Sequence, residues 1–61
     1  MWIKDKYGDY VNMDHASYVY KDYDGSTCVH VGGSEHEISN YDVRDEIIAN
    51  IISGTPVMEV R

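Results

Sequence analysis

One thiol and two imidazoles lie close together in the middle of the chain. Cys28 and His30 are two residues apart, so both would point to one face of a β-strand, and His36 follows across the Gly32-Gly33 turn. Three such ligands can hold a zinc ion with water in the fourth position. However, the sequence has no C-x-x-C or H-x₃-H spacing of the kind that zinc sites use. We therefore expect no metal and no cofactor.

The same side chains supply the residue types of a nucleophilic enzyme, namely a thiol beside an imidazole. Cys28 and His30 flank Val29 on one predicted strand, and a chain of 61 residues can hardly enclose the roughly 300 Å³ that most enzyme pockets need. The Gly32-Gly33 pair fits a hairpin turn and lacks the lysine of a phosphate-binding loop. The sequence therefore predicts a protein that is not an enzyme.

The charge of the chain is concentrated in its middle. The formal net charge is -6, from 11 acidic and 5 basic residues, and the charges cancel within residues 1–21 and within residues 51–61. The excess lies between residues 22 and 50, where Arg44 is the only Lys or Arg. This distribution disfavours direct binding to nucleic acid or to an anionic membrane and favours a basic protein surface. The alternative interpretation is a solvated face that keeps a small protein soluble.

Tyrosine is the second unusual feature, because the chain has six tyrosines and no phenylalanine. A buried tyrosine hydroxyl needs a hydrogen-bond partner, whereas a tyrosine on a binding surface adds both contact area and a polar group. Tyr18, Tyr20 and Asp22 alternate along one predicted strand and would share a face. The predicted partner-binding residues are these tyrosines and the mid-chain carboxylates: Tyr18, Tyr20, Asp22, Tyr23, Asp24, Glu35, Glu37, Asp42, Asp45 and Glu46.

Alternating polarity and turn residues predict a series of short strands that would position these side chains. The predicted strands are residues 2–7, 10–13, 17–23, 27–31 and 35–38. The Asp24-Gly25 pair is a strong hairpin signal, because glycine tolerates the positive φ that tight turns need. Together these segments predict a small antiparallel meander of four to five strands.

After these strands, the apolar residues recur with the spacing of an α-helix over residues 41–53. Ser39 or Asn40 would cap its start, and Gly54 would end it. Its apolar stripe is wider than one small sheet face needs, which suggests a second covering surface such as a dimer mate. Arg44 falls within this stripe, where it would extend past its apolar neighbours or pair with a carboxylate. The stripe consists of Val43, Ile47, Ile48, Ile51 and Ile52.

The whole chain therefore predicts one α+β domain over residues 1–61, with a small antiparallel β-sheet, a C-terminal amphipathic helix and a short extended tail. The tail, residues 55–61, would form a last strand at a sheet edge or cross to another subunit. The opening MWIKDK carries no apolar signal segment, and no apolar run is long enough to span a membrane. We therefore expect a cytoplasmic protein, in the host cytoplasm if it is phage-encoded.

Two resemblances add to this interpretation. The overall profile of a small acidic domain without catalytic motifs resembles that of small phage-encoded inhibitors, including anti-CRISPR proteins. The order of YVNMDHASYVY, CVHVGGSEHEI and DVRDEIIANII within residues 10–52 is similar to that of the small flagellar FlbD-like proteins. The first resemblance implies a stoichiometric inhibitor that docks on the basic surface of a nucleic-acid-binding protein. The second implies a small homodimeric structural or regulatory protein.

Overall fold

The computed structural model describes residues 1–60 and shows a small α+β fold with a C-terminal helix, as the sequence predicts. The elements in chain order are β1 (Trp2–Lys4), β2 (Tyr10–Asn12), a 3₁₀ turn (Met13–His15), β3 (Ala16–Lys21), β4 (Thr27–Val31), β5 (Ser34–Ser39), α1 (Arg44–Ser53) and β6 (Val57–Met58).

The strands form two three-stranded sheets, ordered β2-β1-β6 and β3-β4-β5, so the prediction of a single meander is wrong. The 3₁₀ turn separates the two sheets. Asn12 caps this turn, because its side-chain oxygen accepts a hydrogen bond from the Asp14 amide at 3.0 Å. An asparagine or aspartate oxygen that binds an amide two residues on bends the backbone. The chain therefore leaves β2 in a new direction, and β3 starts a second sheet.

The first sheet joins the two ends of the chain. β1 and β2 form the predicted antiparallel hairpin, with Ile3 opposite Val11. β6 lies parallel to β1 on its other side, with Ile3 opposite Met58. The tail is therefore an edge strand within its own chain, which confirms the first of its two predicted placements. A parallel partner needs a long crossover, and residues 5–56, which include α1, provide it.

The second sheet is the antiparallel part of the predicted meander. β3 and β4 form a hairpin around Asp24-Gly25, with Val19 opposite Val29. β5 continues antiparallel to β4, with His36 opposite Val29. The side chain of Val29 is fully buried, so this face of the sheet contacts the core and the other face points away from it.

The helix begins later than predicted, because the bent loop before it is tied to β4. The N-cap residue is Val43, and neither Ser39 nor Asn40 caps the helix. Instead, the buried hydroxyl of Thr27 accepts a hydrogen bond from the Val43 amide and donates one to the carbonyl of Tyr41, both at 2.8 Å. The Ser39 hydroxyl also donates to the Tyr41 carbonyl. These bonds fix the loop to the end of β4.

Both sheets and the helix pack on one shared core. The buried hydrophobic side chains of the core cluster are Ile3, Val11, Met13, Val29, Ile38, Val43, Ile47 and Met58.

No helix among residues 1–60 has the length and apolar character needed to cross a membrane.

Candidate protein-binding face

Six side chains point away from the core on the outer face of the second sheet. The strand register aligns them in two rows across the sheet. One row contains residues 18, 30 and 35, and the other contains residues 20, 28 and 37. We call this surface the tyrosine–glutamate face. It consists of Tyr18, Tyr20, Cys28, His30, Glu35 and Glu37.

The aromatic rings of this face are packed against one another. The ring of Tyr18 stacks on His30, with centroids 5.0 Å apart and planes only 6° from parallel. Tyr18 also contacts Tyr20 at a centroid distance of 5.3 Å, in a tilted arrangement. The Nδ1 atom of His30 is buried and has no hydrogen-bond partner among the described residues. The stack orients these rings before any partner arrives, which lowers the entropy cost of binding.

A carboxylate completes this cluster at its outer end. Glu35 lies near Tyr20. Burial, followed by the influence of Glu35, raises the pKa of Tyr20 to about 12. The phenol is therefore neutral at physiological pH, while the exposed Glu35 carboxylate contributes a negative charge to the face.

Asp22 has a different role, because its carboxylate shapes the β3–β4 turn. One oxygen accepts hydrogen bonds from the amides of Asp24 at 3.2 Å and Ser26 at 3.1 Å, and the other lies 3.6 Å from the Cys28 sulfur. Burial, and then the charge of Asp22, raise the pKa of the Cys28 thiol. This shift favours the protonated thiol over the thiolate, which is the more nucleophilic form. The Asp24 carboxylate accepts a hydrogen bond from the Ser26 amide at 3.0 Å, and the pKa of Asp24 is lowered.

A lysine from the first sheet partly neutralises the face. The Lys6 ammonium lies 2.7 Å from a carboxylate oxygen of Glu37, and this hydrogen bond raises the pKa of Lys6. The Lys6 amide also donates to the Glu37 carbonyl at 2.9 Å. In the charge count along the sequence, Lys6 cancels one of the aspartates of residues 1–21. In the folded chain it lies instead beside a glutamate 31 residues away.

Two highly exposed tyrosines flank the face. Tyr7, from the β1–β2 loop, and Tyr23, from the β3–β4 turn, line an open cavity of about 500 Å³ together with Tyr20 and Glu37. Tyr23 was a predicted site residue, whereas Tyr7 was not. The sequence offers no local signal for Tyr7, because only the Lys6–Glu37 contacts bring the first hairpin beside β5.

The helix carboxylates do not join this face. Asp42, Asp45 and Glu46 lie around the start of α1, which packs on the core side of the second sheet. Asp42 is paired with Arg44 through two hydrogen bonds, from Nε at 2.9 Å and Nη2 at 2.8 Å, and these lower the pKa of Asp42 to about 2. Arg44 thus takes the second of its two predicted roles. The ten predicted residues therefore form two separate groups rather than one continuous surface.

The residues considered for zinc do not converge. The register places His36 on the Val29 side of the sheet, whereas Cys28 and His30 are on the opposite side. Within the part of the chain that the structure describes, no three His, Cys, Asp or Glu side chains are arranged to hold a metal ion.

The face combines pre-oriented aromatic rings with carboxylates that can accept hydrogen bonds from lysine or arginine. Comparison with known proteins adds no family to this description, because no family model, curated protein or solved structure matches the chain.

Proposed function

We propose that the chain is a non-enzymatic binding protein whose tyrosine–glutamate face docks on a basic protein surface. The observation that carries the proposal is the packed Tyr18–Tyr20–His30 cluster with Glu35 and Glu37 beside it, on the outer face of the second sheet. Tyrosine is favoured at binding surfaces, because it gives a large contact area at a low cost in side-chain entropy.

Charge complementarity favours a basic partner. Asp22, Asp24, Glu35 and Glu37 lie on or beside the face, and Lys6 is the basic side chain that pairs there. Such a surface speeds the encounter with a positively charged partner, whereas packed aromatic contacts slow dissociation. The helix group of Asp42, Asp45 and Glu46 is outside the docking face in this proposal.

The partner class that fits best is a nucleic-acid-binding protein. Such proteins expose rows of lysine and arginine for phosphate, and a small anionic domain can occupy them. The chain would then act as a stoichiometric inhibitor in the cytoplasm of the host cell, in the manner of anti-CRISPR proteins. Neither direct nucleic-acid binding nor a membrane has a part in this function.

The test measures how much partner protein each of two matched double variants captures from a host lysate. The lysate is first reduced to its heparin-binding fraction, because that fraction is enriched in basic proteins. Glu35→Gln with Glu37→Gln removes two charges from the face, and Asp45→Asn with Glu46→Gln removes two from the helix. We expect the first variant to bind a captured partner at least tenfold more weakly, and the second to bind it like the wild type. Binding should also weaken with added salt.

The proposal fails if both double variants lose binding equally, or if affinity is the same at low and high salt. Circular dichroism on each variant verifies that the loss does not come from unfolding.

A second candidate is the homodimeric structural or regulatory protein that the FlbD-like pattern implies. The exposed isoleucines of α1 favour self-association: Ile48 is 46% and Ile52 is 81% exposed. The tail is not part of this candidate, since β6 pairs with β1 of its own chain.

A further inference from the structure

The outer edge of β3 is an unpartnered edge in the second sheet. β3 is the first strand in the order β3-β4-β5, and no strand lies beyond it among residues 1–60. At six residues it is as long as β5 and longer than the remaining strands, and its sequence ASYVYK contains neither proline nor a carboxylate. Natural proteins usually protect such an edge, because its free backbone groups are ready to pair with another strand.

Two exposed isoleucines lie on the same side of the molecule as this edge. Of the strands, β3 is the one that α1 contacts most extensively. Glu46 and Asn50 face the other flank, where they line a cavity with Val57 of β6. Ile48 comes two residues after Glu46, and Ile52 comes two residues after Asn50. Each isoleucine therefore points about 200° around the helix axis from that polar residue. They therefore lie on the β3 flank of α1.

We propose that a second copy of this chain covers this surface. The two β3 strands pair antiparallel about a two-fold axis, and Ile48 and Ile52 of the two helices meet on the core side of the joined sheet. The pairing extends each three-stranded sheet into one of six strands. It also brings the two tyrosine–glutamate faces side by side on the outer surface.

Charge is the reason to choose a second copy over another partner. Two chains of net charge -6 repel each other, so self-association requires a contact region that does not share this excess of negative charge. The two acids of this region, Asp42 and Asp45, are matched by two bases, Arg44, which pairs with Asp42, and Lys21 of β3. Because the region carries no net charge, it suits a self-complementary contact between two copies.

The experiment uses the chain alone, so its result does not depend on the docking of a basic partner. Sedimentation equilibrium would compare the wild type with Ile52→Glu, which adds a charge at a side chain too exposed to affect the core. Val57→Glu is the matched control, since Val57 is a 51% exposed aliphatic residue on the opposite flank. We expect the wild type to show a monomer–dimer equilibrium. Ile52→Glu should raise the dissociation constant of the dimer about a hundredfold, because a two-fold interface contains the substituted residue twice. Val57→Glu should leave the dissociation constant unchanged.

Amide hydrogen exchange provides the second measurement. The outward amides of β3 should exchange more slowly at high protein concentration than at low concentration in the wild type, and equally at both in Ile52→Glu. A wild type that stays monomeric up to about 1 mM would overturn the proposal. A dimer that survives Ile52→Glu, or one without concentration-dependent protection of β3, would overturn it as well.

Discussion

At the scale of single residues, the carboxylates divide into those that hold the backbone and those that remain available. Asp5 accepts the amides of Tyr7 and Asp9, each at 2.9 Å, and Asp22 does the same within the β3–β4 turn. Asp42 is paired with Arg44. These aspartates keep their charge, but their oxygens are already engaged within the chain. On the face, Glu37 pairs with Lys6, whereas Glu35 has no ion pair among residues 1–60.

The burial of Tyr20 beside Glu35 predicts a late tyrosine titration. The folded pKa of Tyr20 is raised from 10.0 to about 12, so the native state keeps a proton that the unfolded chain releases. The stability from this group is therefore fully present below pH 10 and is lost as the pH rises towards 12. Absorbance at the tyrosinate band should show one late step in the folded protein, and Tyr20→Phe should remove that step.

The control for this titration is Tyr23→Phe, because Tyr23 is fully exposed in the turn. It should leave the late step intact. A late step that persists in Tyr20→Phe would contradict the assignment.

At the scale of elements, the boundaries are set by single residues with special backbone needs. The β3–β4 turn contains Gly25 at a φ of 91°, and α1 ends at Gly54 with a φ of 75°. The Gly54 amide donates to the carbonyls of Asn50 and Ile51, and the Thr55 amide donates to that of Asn50 as well. The start of α1 is set differently, by the buried Thr27 hydroxyl from β4. The end of the helix is therefore a local feature, and its start depends on tertiary contacts.

The left-handed backbone at Gly54 makes its substitution costly. Gly54→Ala adds a Cβ with no steric neighbour within 4 Å, so its effect comes from the backbone conformation alone. We expect a loss of about 1–2 kcal/mol, or a fall in Tm of about 4–8 °C or more for a domain of this size. Thermal unfolding followed by circular dichroism measures this.

Ser53→Ala serves as the neighbouring control, since Ser53 is exposed and its hydroxyl bonds only to helix carbonyls. Its Tm should change little. Equal losses in both variants would indicate that the terminal turn, rather than the φ of Gly54, is responsible.

At the scale of the whole molecule, one core unites two small sheets that could not stand alone. The first sheet has strands of only two or three residues, and the second has three strands of five or six, so each buries little surface by itself. Ile3 and Met58 from the first sheet, Val29 from the second and Ile47 from α1 belong to the same buried cluster. Because each sheet covers the other's apolar side chains, we expect the two sheets to unfold together.

A single cooperative transition is the measurable consequence. Trp2, the only tryptophan, reports on the first sheet by fluorescence, whereas far-ultraviolet circular dichroism reports on both sheets. The two denaturation curves should coincide. Ile3→Ala, at a fully buried site, should cost about 2–5 kcal/mol and shift both curves equally. Two separated transitions would show that the sheets are independent.

The sequence by itself determined the local features of this protein. The alternation of β3 and β4, the hairpin at Asp24-Gly25 and the stop at Gly54 follow from a two-residue period and from the φ that glycine permits. The row of Tyr18 and Tyr20 on one face was predictable for the same reason. These features involve neighbours in the chain, and neighbours are what a sequence pattern records.

Only the tertiary structure decided which distant segments meet. The division into two sheets, the parallel pairing of β6 with β1, the ion pair of Lys6 with Glu37 and the separation of the helix carboxylates from the tyrosine–glutamate face all belong to this class. Each depends on how the shared core orients elements that are far apart in sequence. A charge count cannot give that orientation, because carboxylates on opposite sides of a core add to the same sum.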